Sequence, residues 1–543
     1  MRKKASLISL ITTLIVGGIL YYIFIPAINI QSYGFIIFVS LIISLYYLTY
    51  LTISSTYSIK EFFNGIEQES YKKIHTRDKS YKLILIIPCL FIITIIVNFI
   101  LSPIFDSKSY YERITVNKDS EFSNDIKEVD FNKIPLLDRD SSEKLGDRTM
   151  GQMSDLVSQF DVSYQYTQIN YNDEIMRVTP LEYNGIIKYF MNRKKGVTGY
   201  ITVDSTNGNS KLVKLDKGMR YMPSAHFNEN LYRKLRFSYP TSIFDEAKFE
   251  IDNEGNPYWI VPVVKYAGFG LRKDIKEVVI FNPIDGSSKK YKVNEVPSWV
   301  DNVYSSDLII EQVNDWGQYS KGFINSIFGQ KDVVQTTTGY NYLVMNDDVY
   351  LYTGITSVVS DESNIGFILS NLRTKETKYY AVPGAEEYSA MDSAEGQVQQ
   401  MSYKSTFPLL VNLNNRPTYL ISLKDNAGLV KMYAFVDVVD YQKVVVTDAS
   451  NGIEKAAENY LNNIGEIDNN SSNMESKTIM IKSIKEVIID GNSYYYIEDY
   501  DNNKYKVSIK TNKDLLPFIS INDKVTINYT KLSNVTTIKK IEK

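Results

Sequence analysis

The run SLISLITTLIVGGILYYIFIP, from Ser6 to Pro26, carries no charged side chain, and two runs of the same character follow it. They are FIIFVSLIISLYYLTYLTI (Phe35–Ile53) and LILIIPCLFIITIIVNFIL (Leu83–Leu101). A helix of ~20 apolar residues crosses the ~30 Å hydrocarbon core of a bilayer. Helix is the required form, because unpaired backbone N–H and C=O groups find no partner in lipid. Residues 1–101 therefore read as a transmembrane region with three spans, at about 6–26, 35–53 and 83–101. Nothing comparable recurs later. The remainder is polar, tyrosine-rich and β-patterned, so the chain as a whole reads as α+β.

Basic residues beside the spans set an expected orientation. Arg2, Lys3 and Lys4 precede the first span, and the connection from Ala27 to Gly34 has no charge. The connection from Ser54 to Lys82 holds Lys60, Lys72, Lys73, Arg77, Lys79 and Lys82. Positive residues stay cytoplasmic, which places the N-terminus and second connection inside and residues 102–543 outside. The first run is too long for a cleaved signal peptide, and no small-x-small cleavage site follows Pro26. Tyr21, Tyr22, Tyr46, Tyr47 and Tyr50 suit the interfacial belt. The bilayer is thus the first expected partner.

Composition excludes several chemistries. Cys89 is the sole cysteine and lies inside the third span, so disulfides do not staple the exterior region. Abundant Ile, Asn, Lys and Tyr point to an AT-rich genome and a Gram-positive envelope. Sixty Lys and Arg against sixty-three Asp and Glu leave no basic excess for nucleic acid.

Beyond the spans, residues 102–142 are charged and weakly periodic, with Pro103 and Pro135, and read as a stalk or linker. Residues 143–300 read as a first α+β repeat region, opening with a helix over Glu143–Phe160. Residues 301–465 read as a second, with a helix over 305–328. Short strands over 474–543 suit a small β-barrel of OB or SH3-like size.

A turn pattern recurs: Asp204-Ser-Thr-Asn207-Gly208, Asn282-Pro-Ile-Asp285-Gly286 and Asp448-Ala-Ser-Asn451-Gly452, with a looser Asn371-Leu-Arg-Thr374. In the first three an apolar strand leads in. Asp or Asn at the first position bonds the backbone two residues on, and the final glycine supplies positive φ. Asn256-Pro257 and Arg416-Pro417 each precede an Ala-Gly pair, Ala267-Gly268 and Ala427-Gly428, at equal spacing, as internal duplication would produce.

No catalytic, cofactor-binding or metal-ligating set emerges. Only His75 and His226 occur, and His75 falls in the second connection, so an exterior two-histidine metal site is excluded. Ser224-Ala-His226 lacks a nucleophile elbow. Glu386 and Glu387 read as a solvated loop or helix start, not as a catalytic pair. Asp499-Tyr-Asp501-Asn-Asn503 lacks the glycine and twelfth-position glutamate of a calcium loop and reads as an acidic turn. Gly268-Phe-Gly270 has Lys273 where a third dinucleotide glycine belongs. The forty-three tyrosines, including Tyr494-Tyr495-Tyr496, read as strand residues. Trp299 and Trp316 read as core anchors.

Lys443-Val-Val-Val-Thr-Asp448-Ala-Ser-Asn-Gly452-Ile resembles the end of a PepSY-type module, which closes with a strand, Asp-Ala-x-Thr-Gly and another strand. Tyr200-Ile-Thr-Val-Asp204-Ser-Thr-Asn-Gly208 is similar to it, whereas the Asn282 copy lacks the Asp-Ala start. The resemblance implies small α+β units that bind or restrain partner proteins in the bacterial envelope, with no catalytic residues. The expected function is a non-catalytic, membrane-anchored scaffold or binding protein whose partner is another envelope protein or a wall polymer. Alternatives are a wall glycan or peptide hydrolase using paired carboxylates, and a subunit of a membrane transport or transfer complex.

Overall fold

A computed structural model describes residues 2–63, 81–358, 360–463, 475–489, 492–530 and 536–543. Three of its helices are long and apolar enough to cross a membrane: Lys4–Phe24, Tyr33–Ser55 and Lys82–Ile100. The second helix continues to Phe63. Lys72, Lys73, Arg77 and Lys79 of the basic connection lie outside the described residues. Ala5, Ser9, Thr13 and Gly17, four residues apart on the first helix, form a buried stripe. A Cβ on Gly17 would stand 2.9 Å from Ile42 Cδ1 of the second helix, so glycine permits the close approach. The other faces of these helices are leucine and isoleucine, exposed as lipid contact requires.

The chain divides into two compact units, residues 1–389 with 406–417, and 390–405 with 418–543. In the first, residues 102–142 are not a free-standing segment. They contain helix Pro103–Tyr111 and strand β1 (Val116–Ser120), and Ile114, Phe122, Ile126, Phe131, Ile134 and Leu136 are buried.

Three antiparallel sheets follow. The first uses β2 (Phe160–Val162), β3 (Thr167–Tyr171), β4 (Glu174–Tyr183), β5 (Val197–Asp204) and β6 (Ser210–Met219), ordered β2-β4-β5-β6 with β3 also on β4. The second uses β7 (Ile243–Phe244), β8 (Lys248–Ile251), β9 (Pro257–Ala267), β10 (Leu271–Phe281) and β11 (Ser288–Lys292), ordered β7-β9-β10-β11 with β8 on β9. The third uses β12 (Val334–Thr336), β13 (Asn341–Met345), β14 (Asp348–Ser357), β15 (Ser360–Asn371) and β16 (Thr377–Tyr380), ordered β12-β14-β15-β16 with β13 on β14. It is widened by β1, parallel to β16, and by β17 (Gly384–Ala385) on β15. The strand path is the same each time, and a helix precedes each sheet: Arg139–Gly151, Leu231–Ser238 and Ser306–Tyr319.

Helix ends depart from the sequence expectation for local reasons. Asp138 caps the first helix by accepting from the Ser141 N–H at 3.0 Å, so it starts before Glu143, and it ends at Gly151. Helix Ser306–Tyr319 is capped by Ser305 and stops before Gly322, whose φ of +84° no helix tolerates. A single π-helical turn, Asn325–Gly329, takes the remainder.

The middle sheet explains why β9 reads PYWIVPVVKYA without alternation. Trp259, Val261 and Val263 belong to one core, shared with Val178, Leu181, Ile201 and Val203 of the first sheet. Ile260 and Val264 belong to another, with Leu308, Ile309 and Val313 of the preceding helix and Leu351 and Ile368 of the third sheet. A strand covered on both faces needs apolar residues at both parities.

In the second unit, β18 (Lys404–Ser405), β20 (Arg416–Lys424), β21 (Val430–Asp437) and β22 (Val444–Asp448) run in the order β18-β20-β21-β22, with β19 (Leu409–Leu413) assigned to the first unit. Helix Ile453–Asn463 comes next. Then β23 (Glu475–Ile489), β24 (Asn492–Asp499), β25 (Lys504–Ser508), β26 (Lys524–Thr530) and β27 (Thr536–Glu542) pair as β23-β24-β25-β27-β26 and back to β23. Their core is Ile479, Ile481, Tyr505, Val507, Val525 and Ile527, every second residue of each strand.

The turns place the recurring sequence pattern. Asp204 and Asn371 end the fourth strand of their sheets and Asn282 directly follows that of its own, and the main-chain N–H of each bonds the carbonyl five residues on, at 2.9 Å. Gly208 and Gly286 close their turns with φ of +79° and +78°, and Lys375 adopts +66° in that place. The Asp448 copy is different. It follows β22 and leads through Gly452 into a helix, not into a strand. The matching turn in that sheet is Asp437-Val-Val-Asp440, where Asp437 Oδ1 accepts from the Val439 and Asp440 N–H groups at 2.9 and 2.8 Å.

Hydrogen bonds tie the spans into the first unit. Asn98 of the third span exchanges two hydrogen bonds with the main chain of Phe269, in the β9–β10 turn. Gln31, between the first two spans, donates to the Tyr266 carbonyl at 2.8 Å. Arg236 is buried and donates to the Ile25 carbonyl at 2.9 Å and to Ser242 O, while Arg233 Nε donates to Tyr22 O at 3.1 Å. The turn glycines are required here. A Cβ on Gly268 would lie 2.9 Å from Asn98 Oδ1, and one on Gly270 2.7 Å from the Tyr33 ring. Gly268-Phe-Gly270 is thus a docking turn for the spans.

Candidate functional site: a pocket around Arg177

Arg177 sits mid-strand on β4, paired with Gln168 of β3 on one side and Val203 of β5 on the other. Its side chain is only 4% exposed and lines a cavity of about 350 Å³. Tyr164, Tyr166, Tyr340, Tyr342 and Phe407 supply the aromatic walls.

Most polar groups around the cavity are satisfied by the protein. Arg139 Nη2 donates to the Tyr164 carbonyl at 2.7 Å. Glu246 receives Gln165 Nε2 at 2.7 Å and Lys248 Nζ at 3.0 Å. Burial alone would raise the Glu246 carboxyl, but these contacts hold it below its ordinary range. Tyr342 and Ser306 hydroxyls are 2.8 Å apart, and Asn341 Nδ2 donates to Phe407 O at 3.0 Å.

Arg177 is different. Among the described residues its guanidinium has neither a side-chain hydrogen bond nor an ion pair, and its Nε is wholly shielded. Burial pulls its pKa down from the ordinary value, against weaker attraction from Tyr342 and Asp138. Arginine nonetheless keeps its proton, so a positive charge is held here without a counter-charge in contact. An uncompensated buried charge costs several kcal/mol. The Tyr166 hydroxyl is also buried without a partner, packed over Gly146. A planar five-donor fork among aromatic walls has the chemistry to take a carboxylate or phosphate oxygen pair.

A buried polar cluster joins the three sheets next to the pocket. Glu250 of β8 accepts from the Asp301 and Asn302 N–H groups, both at 2.9 Å. Asp301 Oδ2 accepts from the Asn170 N–H at 2.8 Å, and Asn170 Nδ2 donates to Asp347 at 2.6 Å. Asp348 takes two bonds from Arg373, both at 2.6 Å. Burial pushes the Glu250 carboxyl up to about 7, and burial with the Glu250 charge pushes Asp301 up as well. Asn302 Nδ2 also donates to the Gln168 carbonyl at 2.9 Å, so this cluster fixes one wall of the pocket.

The residues singled out from the sequence lie apart from one another. His226 packs on the Tyr189 ring at 5.2 Å, and its carbonyl accepts from the Tyr189 hydroxyl. Glu386 bonds the Tyr388 N–H, but Glu387 is fully buried and accepts from Tyr352 and Asn364, both at 3.0 Å. Glu387 opens helix Glu387–Gln397, the helix start that the sequence suggests, but it is buried and not solvated. Asp499 closes the β24–β25 turn through Asn503 and Tyr505. Trp316 is buried beneath the Lys118 ammonium, and Trp299 packs on Tyr258. Among the described residues no three His, Cys, Asp or Glu side chains gather as a metal set. No protein-family model matches the chain, and no curated protein matches it.

Proposed function

We propose that this chain is a membrane-anchored, non-catalytic binding protein of the bacterial envelope, with residues 102–543 on the outer side. The observation that carries the binding role is Arg177, a buried cation without a counter-charge in an open aromatic pocket. Its occupant is an anionic group, carboxylate or phosphate, borne by an envelope protein or a wall polymer.

The location rests on connectivity and charge. The connection between the first two spans and the end of the third bond to the same sheet, so they share a side of the membrane with it. The basic N-terminus and second connection occupy the other side, which the charge rule makes cytoplasmic. We also read the common strand path of the sheets as internal duplication. The PepSY-type resemblance at Asp204, in the turn between the fourth and fifth strands of its sheet, supports small partner-binding units.

Co-sedimentation of the full chain, in lipid nanodiscs, with purified cell wall tests this reading, alongside capture of acidic envelope proteins. Binding that weakens at least tenfold in Arg177→Gln is expected. Equal binding by both forms, or none by either, overturns it.

A further inference from the structure

Two clusters of apolar side chains point away from the protein beside the ends of the spans. The first is on helix Gly185–Asn192, which connects β4 to β5. Tyr189 is buried, while Ile186, Ile187, Phe190 and Met191 are 49, 71, 54 and 68% exposed. The second is at the π-helical turn, where Ile324, just before it, and Ile327 and Phe328, within it, are 74, 48 and 84% exposed.

Both adjoin groups that the spans hold at the bilayer surface. Phe190 packs on Phe227 at 6.0 Å, and the adjacent Asn228 accepts from the hydroxyl of Tyr22, at the end of the first span, at 2.9 Å. Phe237, 54% exposed, lies 6.2 Å from the Tyr21 ring. On the other flank, Phe99 at the end of the third span packs on Phe105 at 5.1 Å, and Tyr110 of the same short helix packs on Tyr319 at 5.8 Å. The chain then reaches the π-helical turn within a few residues. Phe105 is itself 63% exposed.

In water, exposed side chains of this size in two contiguous groups would be a liability. At a membrane surface they are anchors: phenylalanine, isoleucine and methionine enter the headgroup–acyl boundary while nearby cations meet the headgroups. Lys188, Arg193, Lys194 and Lys195 rim the first cluster. We infer that helix Gly185–Asn192 and the turn Asn325–Gly329 insert into the outer leaflet, so the sheets rest on the bilayer at two points beyond the spans.

The sheet itself supplies a control. The turn at Asp204–Gly208 lies at the opposite end of β5 from helix Gly185–Asn192, about 25 Å away at ~3.3 Å per residue. Single cysteines at Ile187, Phe328 and Asn207, in a Cys89→Ser background, can carry an environment-sensitive fluorophore in nanodiscs with nitroxide-labelled lipid. All three replaced residues are exposed. The expected result is at least twofold stronger lipid quenching at I187C and F328C than at N207C. Quenching at both equal to that at N207C overturns the inference. Wall binding by the same nanodisc-held chain is scored independently, so failure here and failure of the binding role are distinguishable.

Discussion

The side-chain amide of Asn98 pairs with the main chain of Phe269 as one strand pairs with another: Nδ2 donates to the carbonyl at 2.8 Å, and Oδ1 accepts from the N–H at 2.9 Å. Asn98 is one of the few polar side chains in a run of isoleucines and phenylalanines. Both residues are half-buried, so water replaces the lost bonds only in part. Asn98→Leu is expected to raise amide exchange in the Ala267–Leu271 turn about tenfold, equivalent to ~1.4 kcal/mol, without altering exchange in β26. Hydrogen–deuterium exchange on the nanodisc-held protein measures both segments.

Arg236 makes the corresponding joint at the first span. Its guanidinium fans over the carbonyls of Ile25, Ser242 and Pro240, and its ring neighbour is Phe244 at 5.1 Å. A lysine ammonium is a point donor and cannot span these acceptors. Arg236→Lys and Arg236→Met are both expected to destabilise the first unit, by about 2 and 3 kcal/mol. Limited proteolysis at the 238–242 segment reads the effect, and unchanged cleavage in both variants would show the joint to be dispensable.

These joints separate what was readable in the sequence from what was not. The spans are legible in the sequence because nothing interrupts their apolar runs. Residues 102–142 read as a stalk because their buried side chains, Ile114, Phe122, Ile126 and Phe131, are too widely spaced to show a period. The Asp437 turn escapes the pattern because Tyr441 stands where the other copies have glycine or lysine, and the Asp448 segment imitates the pattern while capping a short helix. Glu386 and Glu387 are adjacent, yet only a fold decides which one is buried. Arg177 carried no signal at all, since lacking a partner is a property of packing.

Glu250 gives the fold a defined pH response. An acid whose folded pKa is raised from 4.5 to about 7 keeps its proton in the folded state where the unfolded chain has lost it. Its contribution is therefore fully present below pH 4.5 and is lost as pH rises toward 7, with an upper magnitude on the order of 3 kcal/mol. Asp301 titrates with it, so the response belongs to the pair. Glu250→Gln, which cannot ionise, is expected to lose less thermal stability than wild type between pH 5 and pH 8. Parallel losses in the two proteins would place the titration elsewhere.

Arg177 leads to the opposite of the usual expectation for a buried residue. Its aliphatic stem packs in the first sheet, but its charge is unneutralised, so the folded state carries a desolvation cost with no returning contact. Arg177→Met keeps the stem and removes the charge, as replacement of buried ions by apolar groups can stabilise a fold. The variant is expected to unfold a few degrees higher than wild type, roughly 1 kcal/mol or more for the unit. Arg177→Lys, still charged, should show no such gain. N-acetylaspartate and inorganic phosphate, measured against sodium chloride at equal ionic strength, should raise the wild-type midpoint and leave Arg177→Met unmoved. A wild-type protein more stable than Arg177→Met without added anion would mean that the guanidinium is already paired within the fold, and the pocket would lose its claim as an anion site.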